Sequence, residues 1–113
     1  MIVRTLIVFA ILLVNARAHS QLSETAVGIA AKSFVDAWER CASERARQHA
    51  SSPDALELIV RAVMAACINE KRAVSEAISR AGTEPAASTA FMKIMDQDIG
   101  LAVAETVLRA RLK

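Results

Sequence analysis

Ser51-Ser52-Pro53-Asp54 is the stretch on which the fold turns. Ser52 can cap a helix that begins at Pro53, since proline lacks an N–H that the first helical turn would leave unbonded anyway. Asp54 then suits the positive end of the helix dipole. Helix-forming sequence extends upstream to Ser23 and downstream to Ala81. A tight turn between two long helices folds them back on each other, so the spacing predicts an antiparallel hairpin of helices over about 23–50 and 53–81.

The apolar periodicity on both sides supports that reading. Val27, Ala31, Phe34, Trp38 and Cys41 step by four and three along the first helix. Leu56, Val60, Val63, Cys67, Val74, Ala77 and Ala81 keep the same rhythm along the second, interrupted by Glu70. Both cysteines therefore lie on the expected core seams, and the midpoint between positions 41 and 67 is Asp54, inside the turn. A Cys41–Cys67 disulfide is expected to clasp the hairpin. Helix ends at 50 and 53 leave the two cysteines out of register by about 7 Å at 1.5 Å per residue, which a stagger or tilt must absorb. Glu70 on the same seam could accept the Trp38 indole N–H, although a solvated carboxylate at the rim is the simpler expectation.

Beyond the hairpin, Gly82 is a natural left-handed stop, and Thr83-Glu84-Pro85 opens a third helix over about 85–112. Gly100 marks a potential break in it. Phe91, Ile94, Met95, Ile99, Leu101 and Leu108 are its expected core arc; Asp98, Glu105 and Arg109 intrude on that arc, with Glu105 and Arg109 spaced as an i,i+4 pair. Leu58 to Ile68 is apolar nearly all round apart from Arg61, so more than one side of it is expected to be covered, by the third helix and by a second subunit. Ser23 can cap the first helix, with Leu22 and Val27 as a hydrophobic staple. The expected fold is all-α: a disulfide-clasped hairpin with a third helix packed across it. Three glycines, two prolines and no tyrosine agree with helix-forming composition.

The N-terminus carries a different signal. Arg4, the apolar run Leu6 to Val14 and the Ala16-Arg17-Ala18 site have the order of a cleavable secretory leader. The run is too short for a membrane span, which takes about 20 apolar residues. Cleavage is expected after Ala18; Val14 and Ala16 also satisfy the small-residue rule and would leave Arg17 first. The mature chain, 19–113, is then a single helical domain, periplasmic or secreted, with no stable membrane insertion. Loss of Arg4 and Arg17 takes the basic residues from 14 to the same number as the 12 acidic ones. A neutral chain lacks the cationic excess that nucleic acid or anionic lipid would require. Export also places the cysteine pair where disulfides persist. The pair has neither C-x-x-C spacing nor a companion histidine cluster, so no metal is assigned to it and no cofactor is expected. Cleavage after Ala18 would expose His19 as an N-terminal amino-imidazole chelate for copper, but a frayed terminus is the plainer reading and His49 is too far along the helix to complete one site.

The remaining motifs are sparse. Asp96-Gln97-Asp98-Ile99-Gly100 begins like a calcium loop, but the twelfth position falls on Val107. Arg40, Arg45, Arg47 and His49 crowd the C-terminal end of the first helix, as expected of a solvated end facing a negative dipole. No group of nucleophile, base and orienting residue assembles, and no enzyme is expected. Cys41-Ala42-Ser43-Glu44-Arg45 is echoed by Cys67-Ile68-Asn69-Glu70-Lys71, both Cys-x-x-Glu followed by a base. This pattern resembles small exported two-cysteine α-helical proteins of bacteria, a resemblance that implies no activity. Ala66-Cys67 with Glu70-Lys71 is also similar to the end of the HdeA-type acid-stress chaperones, which implies a small periplasmic helical protein, held by one disulfide, whose fold opens in acid to expose its apolar seam. The sequence thus predicts an exported, non-enzymatic binding or structural module acting on a protein partner or on itself. An acid-stress chaperone is the first alternative and a thiol-disulfide redox protein the second.

Overall fold

Four helices, α1 (Ala26–His49), α2 (Leu56–Ala66), α3 (Ile68–Arg80) and α4 (Pro85–Arg111), make up the structure, a computed structural model that describes the backbone of residues 26–113 and the side chains of residues 28–113. The leader, His19, the Ser23 cap and the Leu22–Val27 staple lie outside these bounds. The all-α clasped hairpin is present: Cys41 of α1 and Cys67 are joined by a disulfide with their Cα atoms 5.9 Å apart.

The hairpin differs from expectation at two places in its second arm, the start and the middle. The helix after the turn begins at Leu56, with Ala55 as a cap that makes no side-chain hydrogen bond, rather than at Pro53 with Ser52 as cap. Ser52 is otherwise engaged. Its hydroxyl accepts the Asp54 N–H at 3.2 Å and donates to the Asp54 carboxylate at 3.1 Å, a local turn that competes with helix formation. The carbonyls of Ser52 and Asp54 accept from the Arg111 guanidinium at 3.1 and 2.6 Å, so the end of α4 ties the loop down from across the fold.

The second correction is at Cys67, where the expected continuous helix over 53–81 is interrupted. Cys67 has φ −101° and ψ 23°, yet its N–H still bonds Val63 O at 3.2 Å and its carbonyl accepts from Lys71 N at 3.1 Å. Counted from the observed helix ends, Cys41 lies eight residues before His49 and Cys67 eleven after Leu56. The register miss falls to about 4.5 Å at 1.5 Å per residue. The local departure at Cys67 falls at the residue that makes the covalent bond. It also divides the arm by role: α3 lies mainly along α1, whereas α2 is shared between α1 and α4.

The C-terminal punctuation follows the sequence. Gly82 has φ +77°, and the bonds Gly82 N to Ser79 O (3.1 Å) and Thr83 N to Ile78 O (3.4 Å) form a Schellman closure of α3. Pro85 occupies the first turn of α4, which then runs through Gly100 without a break. A glycine costs a helix only about 1 kcal/mol, and α4 is held on both sides of Gly100 by Ile99 and Val103 in the core.

That core is built from Ala31, Trp38, Ala42 and Ala46 of α1, Ile59 and Val63 of α2, Cys67, Val74, Ala77 and Ile78 around α3, and Ile99, Val103 and Val107 of α4. Several expected seam residues are displaced from it. Phe34 is 38% exposed while Val35 packs on the core in its place, and Ala81 is exposed. Three alanines on α1 let the neighbouring helices approach closely, a face that a search for large apolar side chains does not select. On α4 the buried line runs Met95, Ile99, Val103, Val107, with Met95 half-buried, and leaves Ile94, Leu101 and Leu108 outside. Lys71 of α3 and Asp96 of α4 form a half-buried ion pair at 2.7 Å that closes the side of this interface. None of the described helices is long and apolar enough to cross a membrane.

Candidate functional site

Two regions of the surface carry features that packing alone does not require. The first surrounds the disulfide. Cys67 is fully buried and Cys41 half-buried, so the bond meets solvent from the α1 side. An opening of about 380 Å³ there is lined by Ala37, Arg40, Cys41, Glu44, Arg45 and Glu70. The two Cys-x-x-Glu echoes thus converge: a helix places the fourth residue of each echo one turn beyond its cysteine, and the clasp brings the two turns face to face. A Glu70 carboxylate oxygen and the two sulfurs all lie within 4.8 Å of one another. Glu70 Oε2 is buried and has no hydrogen-bond partner, and neither has the Trp38 indole N–H. The Trp38–Glu70 bond is therefore not made. Glu70 instead turns to the sulfurs.

Of the four basic residues at the end of α1, Arg40 and Arg45 flank this opening, whereas Arg47 and His49 do not line it. Asp96 to Gly100, the calcium-loop look-alike, is continuous helix, a conformation that cannot wrap an ion. Glu105 and Arg109 form their i,i+4 pair on the surface of α4.

The second region is the outer face of α4. Its buried line and its exposed line sit on opposite sides of one helix. Ile94, Leu101 and Leu108 recur every seven residues and are 51%, 69% and 46% exposed, and Leu112 continues the line one turn further. An α4 that only completed this core would need one apolar stripe. Lys93 borders the outer stripe on one side, Asp98 and Glu105 on the other, and Ala90, Gln97 and Ala104 lie between its large residues. Ile94, Leu101 and Leu108, expected in the core arc, lie outside it, because a repeat of seven does not say which side of a helix looks inward.

A third feature, between α1 and α4, was not anticipated. Glu39, Ala42, Ser43, Asp98, Ile99, Ala102, Val103 and Thr106 line a shallow cleft of about 350 Å³. Small residues at Ala42 and Ala102 create it. Thr106 turns its hydroxyl back onto the Ala102 carbonyl at 2.9 Å, which leaves the cleft with exposed carboxylates at its rim and little that converges on a ligand.

Comparison with known families, curated proteins and solved structures finds no match to this chain. The functional reading therefore rests on these surfaces.

Proposed function

We propose that the protein is an exported, non-enzymatic helical binding module whose docking surface is the outer face of α4, and that its occupant is a second copy of the chain. The carrying observation is the exposed stripe of Ile94, Leu101 and Leu108 at seven-residue intervals, opposite the line that α4 gives to its own core. Seven-residue spacing is what a second helix at a shallow crossing angle recognises. Ala90, Gln97 and Ala104 occupy the intervening seam positions, small enough for close approach and with an amide that can pair with its own mate. In a parallel arrangement Lys93 of one copy meets Asp98 of the other, the attractive pairing across such a seam. Arg111, the next seam position, is engaged with the carbonyls of Ser52 and Asp54, and the seam ends there.

The seam is short. Stable interfaces bury roughly 800 Å² per partner, which three or four large side chains do not reach, so the dimer is expected to be concentration-dependent. Sedimentation equilibrium of the oxidised mature chain should show a reversible monomer–dimer system that Leu101→Glu abolishes. Leu101 is largely exposed, so that variant should keep its helicity. A monomer at every concentration, or a dimer indifferent to Leu101→Glu, would contradict the proposal.

The exposed apolar stripe favours one further reading, the acid-stress chaperone. Opening of the fold in acid would add the buried line of Ile99, Val103 and Val107 to that face. That reading predicts protection of an aggregating client at about pH 3, below the ordinary carboxylate range, and none at neutrality. No protection at either pH removes it.

A further inference from the structure

We propose that Cys41, Cys67 and Glu70 form a three-donor site for a divalent zinc-like cation whenever the disulfide is open. The three donor atoms already lie within 4.8 Å of one another. Zinc with bonds of about 2.3 Å to sulfur and about 2.0 Å to oxygen holds tetrahedral donors roughly 3.5–3.8 Å apart. The carboxylate oxygen must close by up to about 1.3 Å and the sulfurs must part by roughly 1.7 Å from covalent contact, both within the reach of side-chain rotation. The backbone supports it, because Cα atoms 5.9 Å apart, held by α1 on one side and by the start of α3 on the other, keep the two sulfurs close, with Cys41 on the opening and Cys67 buried behind it.

Glu70 supplies the independent observation. Its Oε2 is buried without a hydrogen-bond partner, and an orphaned carboxylate oxygen is costly unless a cation or a donor meets it. Cys67 and Glu70 are three residues apart on one helical turn, a spacing that lets both bind one ion. Solvent reaches the site through the opening beside Arg40, Glu44 and Arg45. Glu44, the glutamate of the other echo, stands at that mouth, where a fourth ligand would bind. Two thiolates and one carboxylate around a dication leave one negative charge, and the guanidinium groups of Arg40 and Arg45 offset it.

The state in question arises before the bond closes or after a dithiol opens it. In the second case the protein disulfide takes two electrons and two protons, yielding two thiols, while the reductant closes to its own disulfide. The cation then displaces both thiol protons and binds two thiolates.

The test uses the mature chain reduced with a phosphine, titrated anaerobically with Co²⁺ and then displaced with Zn²⁺. Binding of one ion per chain with a thiolate-to-cobalt charge-transfer band is expected, and the oxidised chain should show no such band. Glu70→Gln should weaken the cobalt affinity by roughly tenfold or more, the scale seen when a metal site loses a supporting carboxylate. No band, two chains per ion, or an affinity unchanged by Glu70→Gln overturns the proposal. Should reduction unfold the domain, circular dichroism decides instead. Zn²⁺ that restores helicity to the reduced parent and fails to restore it to Glu70→Gln supports the site; no restoration, or equal restoration in both, overturns it.

Discussion

Trp38 is the largest fully buried side chain of the described residues, and its indole N–H makes no hydrogen bond there. The two properties predict different outcomes for two substitutions. Trp38→Ala removes a bulky aromatic from the contact between α1 and its neighbours and should cost about 3–5 kcal/mol. Trp38→Phe keeps an aromatic ring and forfeits no hydrogen bond, so it should cost less than half as much. Urea unfolding of both variants at a common pH measures this. Equal losses would mean that the indole N–H has a partner after all. Trp38 and Cys67 are legible from the helical spacing, because each falls on a line of apolar residues at steps of three and four. Ala42 and Ala46 are not: alanine is compatible with either face, and only the closeness of a neighbouring helix decides. The place of Glu70 on the seam is legible but its surroundings are not: neither the Trp38 bond nor a fully solvated rim describes it, since a carboxylate's orientation depends on the turn opposite.

At the scale of elements, Gly82 and Gly100 have opposite roles and make a matched pair. Gly82 ends α3 with φ +77° and open space around a would-be Cβ, so Gly82→Ala is opposed by backbone conformation alone and should cost about 1–2 kcal/mol. Gly100 is helical, and a Cβ there would meet only Val60 Cγ1 at 3.9 Å, an ordinary contact. Gly100→Ala should therefore stabilise the fold, by up to about 1 kcal/mol. Thermal unfolding followed at 222 nm, where roughly all helical signal is read, separates the two signs. Opposite shifts are predicted; a loss in Gly100→Ala would place a bend there. The helix ends at Gly82 and Pro85 were readable because their causes are local. The start at Leu56 was not, because Arg111, 57 residues from Asp54, holds the loop carbonyls. Nor was the interruption at Cys67, which has neither proline nor glycine and coincides with the residue that carries the covalent bond. The double face of α4 belongs to the same class: periodicity shows that a helix has apolar lines, and packing shows which one it keeps.

At the scale of the whole molecule, one covalent bond joins α1 to the arm that carries α2 and α3. Closing a loop over a sequence separation of 26 residues constrains the unfolded chain by about 3–4 kcal/mol on the chain-entropy model, a large part of the stability of a small domain. The Cys41→Ala/Cys67→Ala variant should lose that much in urea unfolding while keeping its helical spectrum. A loss below about 1 kcal/mol would show that packing of α1 on α3 suffices without the clasp. The same bond links the fold to the proposed export, because a disulfide persists in an oxidising compartment and rarely in a reducing one. An exported domain pinned at Cys41 and Cys67 is thus one proposal with two halves, an expected leader over residues 1–18 and the clasp. Intact-mass measurement of native protein, recovered from its own cell and alkylated without reduction, tests both halves together. The account predicts a chain lacking residues 1–18, unalkylated and lighter than the dithiol form by two hydrogens; a full-length chain, or one alkylated at both cysteines, would contradict it.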